Sequence, residues 1–323
     1  MEYLKSMLAN REAVTADTVI TYDLPVNPLS FLDLDVEAAL SAAYTQGLFT
    51  NIGAIFDKVE VLFKGTSILS LSGADLLAYN AVVTGRFPPV LNRQVNVAAE
   101  QIFRFRIPFG RYPYSQVECF PAVRRGELQL RLDYASSFTN VTSLDLTITT
   151  CELMGAAPKQ FLKATTLSKT PVVGDNDVDL PIGNKMIGLL LFGTTVPAGT
   201  AKTTTIDKVK LLIDNMESYL HEVRWATLNH AIYEILGKDQ VDSDHTHKEN
   251  AATAYTQDAA TAVRNPIDAP LGQYGYIDFD PNRNDRYLLE TAGKGRLWLR
   301  VTAGDTNAIR VIPVEIIELG AAA

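Results

Sequence analysis

Cysteine is nearly absent from this sequence. Cys119 and Cys151 are the only two in 323 residues. Neither stands in a CxxC or Cys/His spacing, so the pattern of a zinc centre, a redox pair or a disulfide scaffold is missing, and both read as reduced core thiols. Charge is sparse too: charged residues are 20% of the chain, below the ~25% usual in soluble domains. The net charge is −8, and the densest basic spot is the pair Arg124–Arg125. A protein that coats nucleic acid presents a basic stripe that displaces counterions from phosphates, so no direct nucleic-acid binding is expected. Long hydrophobic runs are missing as well. The longest apolar stretch, Met186–Phe192, is far short of the ~20 residues of a membrane span, and Met1–Arg11 has no apolar core of a secretory signal. The expectation is a protein made in a cytoplasm-like compartment that does not span a membrane. No GxSxG, HExxH or GxxxxGK[ST] occurs, so no catalytic residue and no cofactor is assigned.

Histidine is scarce, with 4 in the chain. His245 and His247 lie beside Asp242, Asp244 and Glu249. Alternating histidines and carboxylates can ligate a divalent ion, which makes this pair the weak metal candidate; without a third regularly spaced histidine a solvated loop is the plainer reading. His221 and His230 read as ordinary half-buried side chains on or near a helix. Gly110-Arg111-Tyr112-Pro113-Tyr114 has an aromatic-proline character suited to a sugar or a partner strand, although a packed loop after a strand is the plainer reading.

What the sequence does have is apolar content, 47%, enough for two cores in a chain of this length. Met1–Arg11 reads as a short amphipathic helix, with Leu4, Leu8 and Arg11 on one face and Tyr3 and Met7 beside it. These five residues are the candidate assembly arm, touching a neighbouring subunit or a lipid surface. From Thr18 the period changes to two. Strands are expected at Thr18–Val26, Ser30–Val36, Lys58–Phe63, Ser67–Leu71, Gln101–Phe109, Gly126–Tyr134 and Ser143–Leu153. Ser72–Asp75 is a capping signature before a helix at Ala74–Val83. Gly155–Lys159 is a linker of small residues and a proline. Beyond it come strands at Phe161–Leu167, Lys185–Phe192, Ile206–Ile213, Tyr274–Phe279, Gly295–Thr302 and Ala308–Leu319, a helix at Glu222–Leu236, and a long polar loop, Lys238–Leu271.

The two halves repeat. Phe56-Asp57-Lys58-Val59 matches Ile206-Asp207-Lys208-Val209, and each strand leads to a turn, a short partner and a helix holding Asn80 or Asn229. Gly126-Glu-Leu128-Gln-Leu130-Arg131-Leu132 matches Gly295-Arg-Leu297-Trp-Leu299-Arg300-Val301, and each half closes on Glu-Leu, at Glu152-Leu153 and Glu318-Leu319. The offset is 150 at the first motif and 169 at the second, a difference that the long loop absorbs. Asp57 and Asp207 sit at equivalent places, which suits a turn or strand-edge role better than catalysis. Leu128, Leu130 and Leu132 face one way and Glu127, Gln129 and Arg131 the other, the alternation of a sheet packed on a second sheet.

Phe56–Gly85, Phe103–Tyr134 and Gly295–Leu319 resemble the double jelly-roll major capsid proteins of tailless icosahedral viruses, many of which infect bacteria or archaea and enclose a membrane. The resemblance implies an all-β chain of two tandem eight-stranded antiparallel jelly-roll β-sandwiches with short helices. The expected layout is an N-terminal helical arm at 1–14, a first roll at 15–154, a linker at 155–159 and a second roll at 160–323 carrying the loop 238–271 as a tower. It also implies three subunits in a pseudo-hexagonal trimer that tiles a shell, a location in the virion after synthesis in the host cytoplasm, and a structural, non-enzymatic role. The implied partners are the chain itself, other virion proteins at vertices or in the membrane, and an internal lipid membrane met by the arm. Two other readings compete: a carbohydrate-binding or glycoside-hydrolase-like sandwich, which needs an aromatic platform or a carboxylate pair in a cleft, and a minor vertex or spike protein of the same fold.

Overall fold

A computed structural model describes residues 2–40, 52–86, 90–91, 100–139, 141–197, 202–236 and 271–320. The chain divides into two compact units between Lys163 and Ala164, with the C-terminal end from Glu318 assigned to the first.

The first unit is built from β1 (Glu2–Ala13), β2 (Val19–Asp23), β3 (Leu29–Leu40), β4 (Phe56–Phe63), β5 (Thr66–Leu71), helix α1 (Gly73–Thr84), β6 (Val90–Leu91), β7 (Glu100–Pro108), β8 (Leu128–Tyr134) and β9 (Val141–Met154). One sheet runs β1-β9-β3-β7-β6, and β5-β4-β8-β2 lie side by side in another. Lettering β1–β5 and β7–β9 B to I in chain order gives B-I-D-G opposite C-H-E-F, the interleaving of a jelly roll. Alternation fills the space between the sheets: Leu32, Leu34 and Val36 of β3, Phe105 and Ile107 of β7 and Leu146 and Ile148 of β9 are buried, as are Val59 and Val61 of β4 and Leu128, Leu130 and Leu132 of β8. Phe56 meets Phe105 edge-on at 5.1 Å. Helix α1 is capped as its sequence dictates. The Ser72 side chain accepts the Asp75 N–H, and Gly85, at φ 68°, donates its N–H to the Ala81 carbonyl.

Strand β10 (Gln160–Thr165) crosses the boundary between the units. The second unit continues with β11 (Leu167–Lys169), β12 (Gly174–Asp179), β13 (Lys185–Gly193), β14 (Ile206–Ile213), β15 (Met216–Glu217), β16 (Val223–Arg224), helix α2 (Trp225–Leu236), β17 (Tyr274–Asp278), β18 (Leu289–Glu290), β19 (Leu297–Ala303) and β20 (Ile309–Glu318). Here β11 and β13 both pair with β20, and β17 pairs with β13. The opposing sheet runs β12-β19-β14-β15, with β16 on β14. The order is again B-I-D-G against C-H-E-F. Leu189 and Leu191 of β13, Val209 and Leu211 of β14, Leu299 and Val301 of β19 and Val311 of β20 form one core, joined by Trp225 and Leu228 of α2.

The repeat extends to single residues. The ladder slips once between Phe56 and Lys58 and once between Ile206 and Lys208, so Asp57 and Asp207 are the extra, exposed residues of two equivalent β-bulges. Asn80 of α1 donates its side-chain N–H to the Arg106 carbonyl at 2.8 Å, and Asn229 of α2 donates to the Tyr274 carbonyl at 2.7 Å. Each ties the helix of its roll to strand G.

Two expectations need correction. Residues 2–13 are not a helical arm. They are strand β1, paired antiparallel with β9 from Glu2↔Met154 to Ala13↔Asp145. The helix-like spacing of Leu4, Leu8 and Arg11 arises from irregularities between Met7 and Ala9 and between Ala9 and Glu12, which break the period of two. The second helix begins at Trp225, not Glu222, because Val223 and Arg224 pair with β14. Among the described residues, no helix is long and apolar enough to cross a membrane.

Candidate assembly surfaces

Strand β1 lies at the open edge of its sheet. Tyr3, Leu4 and Met7 are exposed, Leu8 is half-buried, and Ala9 is buried. Arg11 is exposed as well, with its guanidinium 2.8 Å from Glu37 and 3.7 Å from Glu100. Of the five residues proposed as an arm, four are thus exposed, and one of them, Arg11, is paired with carboxylates of its own roll.

The outer face of this sheet is charged but internally neutralised. Arg104 holds Asp35 by two bonds of 2.6 and 2.8 Å, and Arg106 holds Asp33 by bonds of 2.7 and 2.8 Å. These planar forks fit carboxylates in both distance and shape. Arg106 also covers the Phe31 ring at 4.1 Å. Phe31 is thereby buried on the outside of the sheet, and Tyr114 packs edge-on against it at 5.5 Å. Tyr114 in turn meets Tyr3 at 5.3 Å. The aromatic-proline loop and the N-terminal segment, which the sequence presents separately, converge on one surface.

That loop is held from beneath. Arg111 and Glu118, both buried, pair at 2.8 Å. Gly110 lies so close to the Glu118 carbonyl that an added Cβ would sit 2.2 Å from its oxygen. The Tyr114 N–H donates to Ser30 Oγ at 2.8 Å, and Tyr114 has φ +64°, a left-handed conformation that bulky residues rarely adopt.

The second roll carries its own ladder on the C-H-E-F sheet. Arg300 grips Asp177 at 2.6 and 2.8 Å; Lys210 reaches Glu217 at 3.1 Å and Lys208 reaches Glu222 at 2.6 Å. The Arg300 hydrogen bonds hold the Asp177 carboxyl below its usual range, with burial opposing them. His221 and His230 are exposed rather than half-buried, and His221 lies 3.4 Å from Glu217. Tyr219, 54% exposed and at φ +61°, packs edge-on against Phe279 at 5.4 Å.

Cys119 and Cys151 are both buried and free. Burial, helped by Glu118, pushes the Cys119 thiol up to about 11, and burial likewise raises Cys151. A thiol so protonated is a poor nucleophile and a poor ligand. Among the described residues no group of three or more His, Cys, Asp or Glu is placed to hold a metal ion; His245 and His247 lie outside the described residues, as does the loop 238–271 except Leu271.

No family model and no curated relative matches the sequence. Solved structures do. The major capsid protein P2 of bacteriophage PM2 superposes with a TM-score of 0.61 at 12% identity, over 99% of this chain and 100% of that one. A chain of the Sulfolobus Turreted Icosahedral Virus atomic structure gives 0.66 at 14% identity, over 98% and 91%. A chain of the PBCV-1 virus capsid gives 0.60 at 9% identity, over 98% and 94%. The chain has the double jelly-roll fold of viral major capsid proteins. In double jelly-roll terms, β1 is strand B of the first roll, a strand the sequence pattern hides because its apolar residues follow a helical spacing. Strand C of the second roll, β12, is hidden for another reason: Gly-Asp-Asn-Asp-Val-Asp is polar on nearly every position, and its place is fixed by pairing with β19 and by the Arg300 fork.

Proposed function

We propose that this chain is the major capsid protein of an icosahedral virus, forming pseudo-hexagonal trimers that tile the shell of the virion. The observation that carries this reading is the presence of two complete, equivalent rolls in one chain, matched along nearly its whole length by capsid proteins. Two similar rolls per subunit and three subunits per ring give six similar sides, so one block can tile a flat facet. The charged faces support it. Asp33, Asp35 and Asp177 are bound by arginines of their own roll, which leaves neutral surface for contacts between copies. The role is structural, with the chain as its own principal partner and other virion proteins meeting it at the vertices. Native mass spectrometry and negative-stain imaging of the purified full chain test the proposal: three-subunit particles with a hexagonal outline are expected, and a monomer at all concentrations overturns it.

A further inference from the structure

We infer that strand β1 is a strap: it opens from the first roll as a unit while the rest of the roll stays folded, and the buried carboxylate of Glu152 is the latch that closes it. Of its twelve residues, Ala9 is buried, Ser6 and Leu8 are half-buried, and the other nine are exposed. The strand on the other side of β9 is built differently: every described side chain of β3 is buried or half-buried. Local opening is easiest where few apolar groups leave water-free surroundings. The ladder from β1 to β9 is also interrupted, slipping between Met7 and Ala9 and again between Ala9 and Glu12. Arg11, inside the second slip, sits at φ +48°, a left-handed conformation that is relieved when the strand leaves.

Two of the bonds that hold β1 lie at the surface. Glu12 accepts from Tyr22 Oη at 2.7 Å, and Arg11, its side chain 54% exposed, pairs with Glu37. Such solvated contacts contribute little net free energy. Ser6 is placed differently. Its Oγ donates to Glu152 Oε1 at 2.8 Å, and Thr150 Oγ1 donates to the Ser6 carbonyl at 3.3 Å. Glu152 is buried, and its Oε2 accepts from Asn27, in the turn before β3, at 2.7 Å. The second roll repeats this clasp: Asn184, in the turn before β13, donates to buried Glu315 of β20 at 2.7 Å. The glutamate of strand I and the asparagine of the C–D turn therefore belong to the roll itself. Glu152 keeps Asn27 when the strap leaves, so opening does not undo the clasp. Ser6 adds a hydrogen bond to a buried carboxylate, the stronger kind, and that bond is lost only on opening. It sets how often the strap opens without holding the roll together.

Hydrogen exchange of the full chain, read by NMR or by mass spectrometry of overlapping fragments, tests the strap and the latch separately. The amides of β1 bonded to β9 are expected to exchange roughly a hundredfold or more faster than the amides of β3 bonded to β9. Low denaturant should leave the β1 rates unchanged, because opening exposes little surface. Ser6→Ala is expected to speed β1 exchange about tenfold further while β3 and the second roll keep the parent's rates. Ser6→Thr, which retains the hydroxyl, should restore the parent's β1 rate. Amides of β1 as protected as those of β3, and exchanging only with global unfolding, overturn the strap. Fast β1 exchange that Ser6→Ala leaves unchanged overturns the latch. So does a Ser6→Ala chain in which β3 accelerates as much as β1, since Ser6 would then stabilise the whole roll.

Discussion

Gly110 shows how tightly one residue can constrain the loop that carries the exposed tyrosines. A methyl group there would stand 2.2 Å from the Glu118 carbonyl oxygen, backbone that cannot swing aside. Gly110→Ala is expected to lower stability by about 1–3 kcal/mol, measured by urea unfolding, and to raise the mobility of Tyr112 and Tyr114. Asp177 tests the charge ladder in a different way. Its pKa is lowered in the folded chain by the Arg300 fork, so its contribution is present in full above the ordinary carboxylate value of 3.8 and is lost as pH falls through the depressed folded value. Asp177→Asn should therefore be less stable than the parent at neutral pH, and the two curves should converge in acid below that window. A gap that persists at the lowest pH would show that packing, not charge, holds the pair. The side chain is partly exposed, so the difference is small and shrinks in salt.

At the scale of elements, the helices are tied to strand G by one asparagine each. Asn80 is buried and reaches the Arg106 carbonyl; Asn229 serves the Leu271 and Tyr274 carbonyls. Replacing either with alanine leaves a carbonyl without its donor, at about 1–3 kcal/mol for a buried site. Asn80→Ala is expected to cost more than Asn229→Ala because Asn80 is the more buried of the two, and denaturant unfolding of both variants checks the order. The shared position of these asparagines was legible in the sequence, as was the pair Asp57 and Asp207, because both stand at fixed distances from strongly alternating strands. Legibility failed where alternation did. Strand β12 has one apolar side chain, Val178, among polar ones, so no alternation marks it. Strand β1 carries two irregularities that scatter its apolar residues into a helix-like spacing. The site was half readable: Tyr112, Tyr114, Tyr3 and Met7 stand out in the sequence, but that Tyr3 meets Tyr114 edge-on depends on pairing between residues about 150 positions apart, which no local spacing reveals.

For the whole molecule, the decisive question is whether the N-terminal segment belongs to the assembly or to the roll. As a free arm, residues 2–13 could be removed without touching the fold. As strand B they cannot. Their loss strips the pairing from one side of β9, the longest strand of the first roll, and removes Ser6 and its 2.8 Å bond to the buried Glu152. It also exposes the flank beside Leu146 and Ile148, which are fully buried in the intact roll. Deleting residues 2–13 is therefore expected to destabilise the first roll by on the order of 3 kcal/mol or more. Each roll closes its own core, so calorimetry should show one transition moving to lower temperature while the core around Leu189, Leu211 and Leu299 melts as before. Unchanged unfolding with weakened shell formation would return the segment to the role of an arm. A single transition shifted as a whole would show instead that the two rolls unfold together, and that strand B stabilises the entire subunit from one edge.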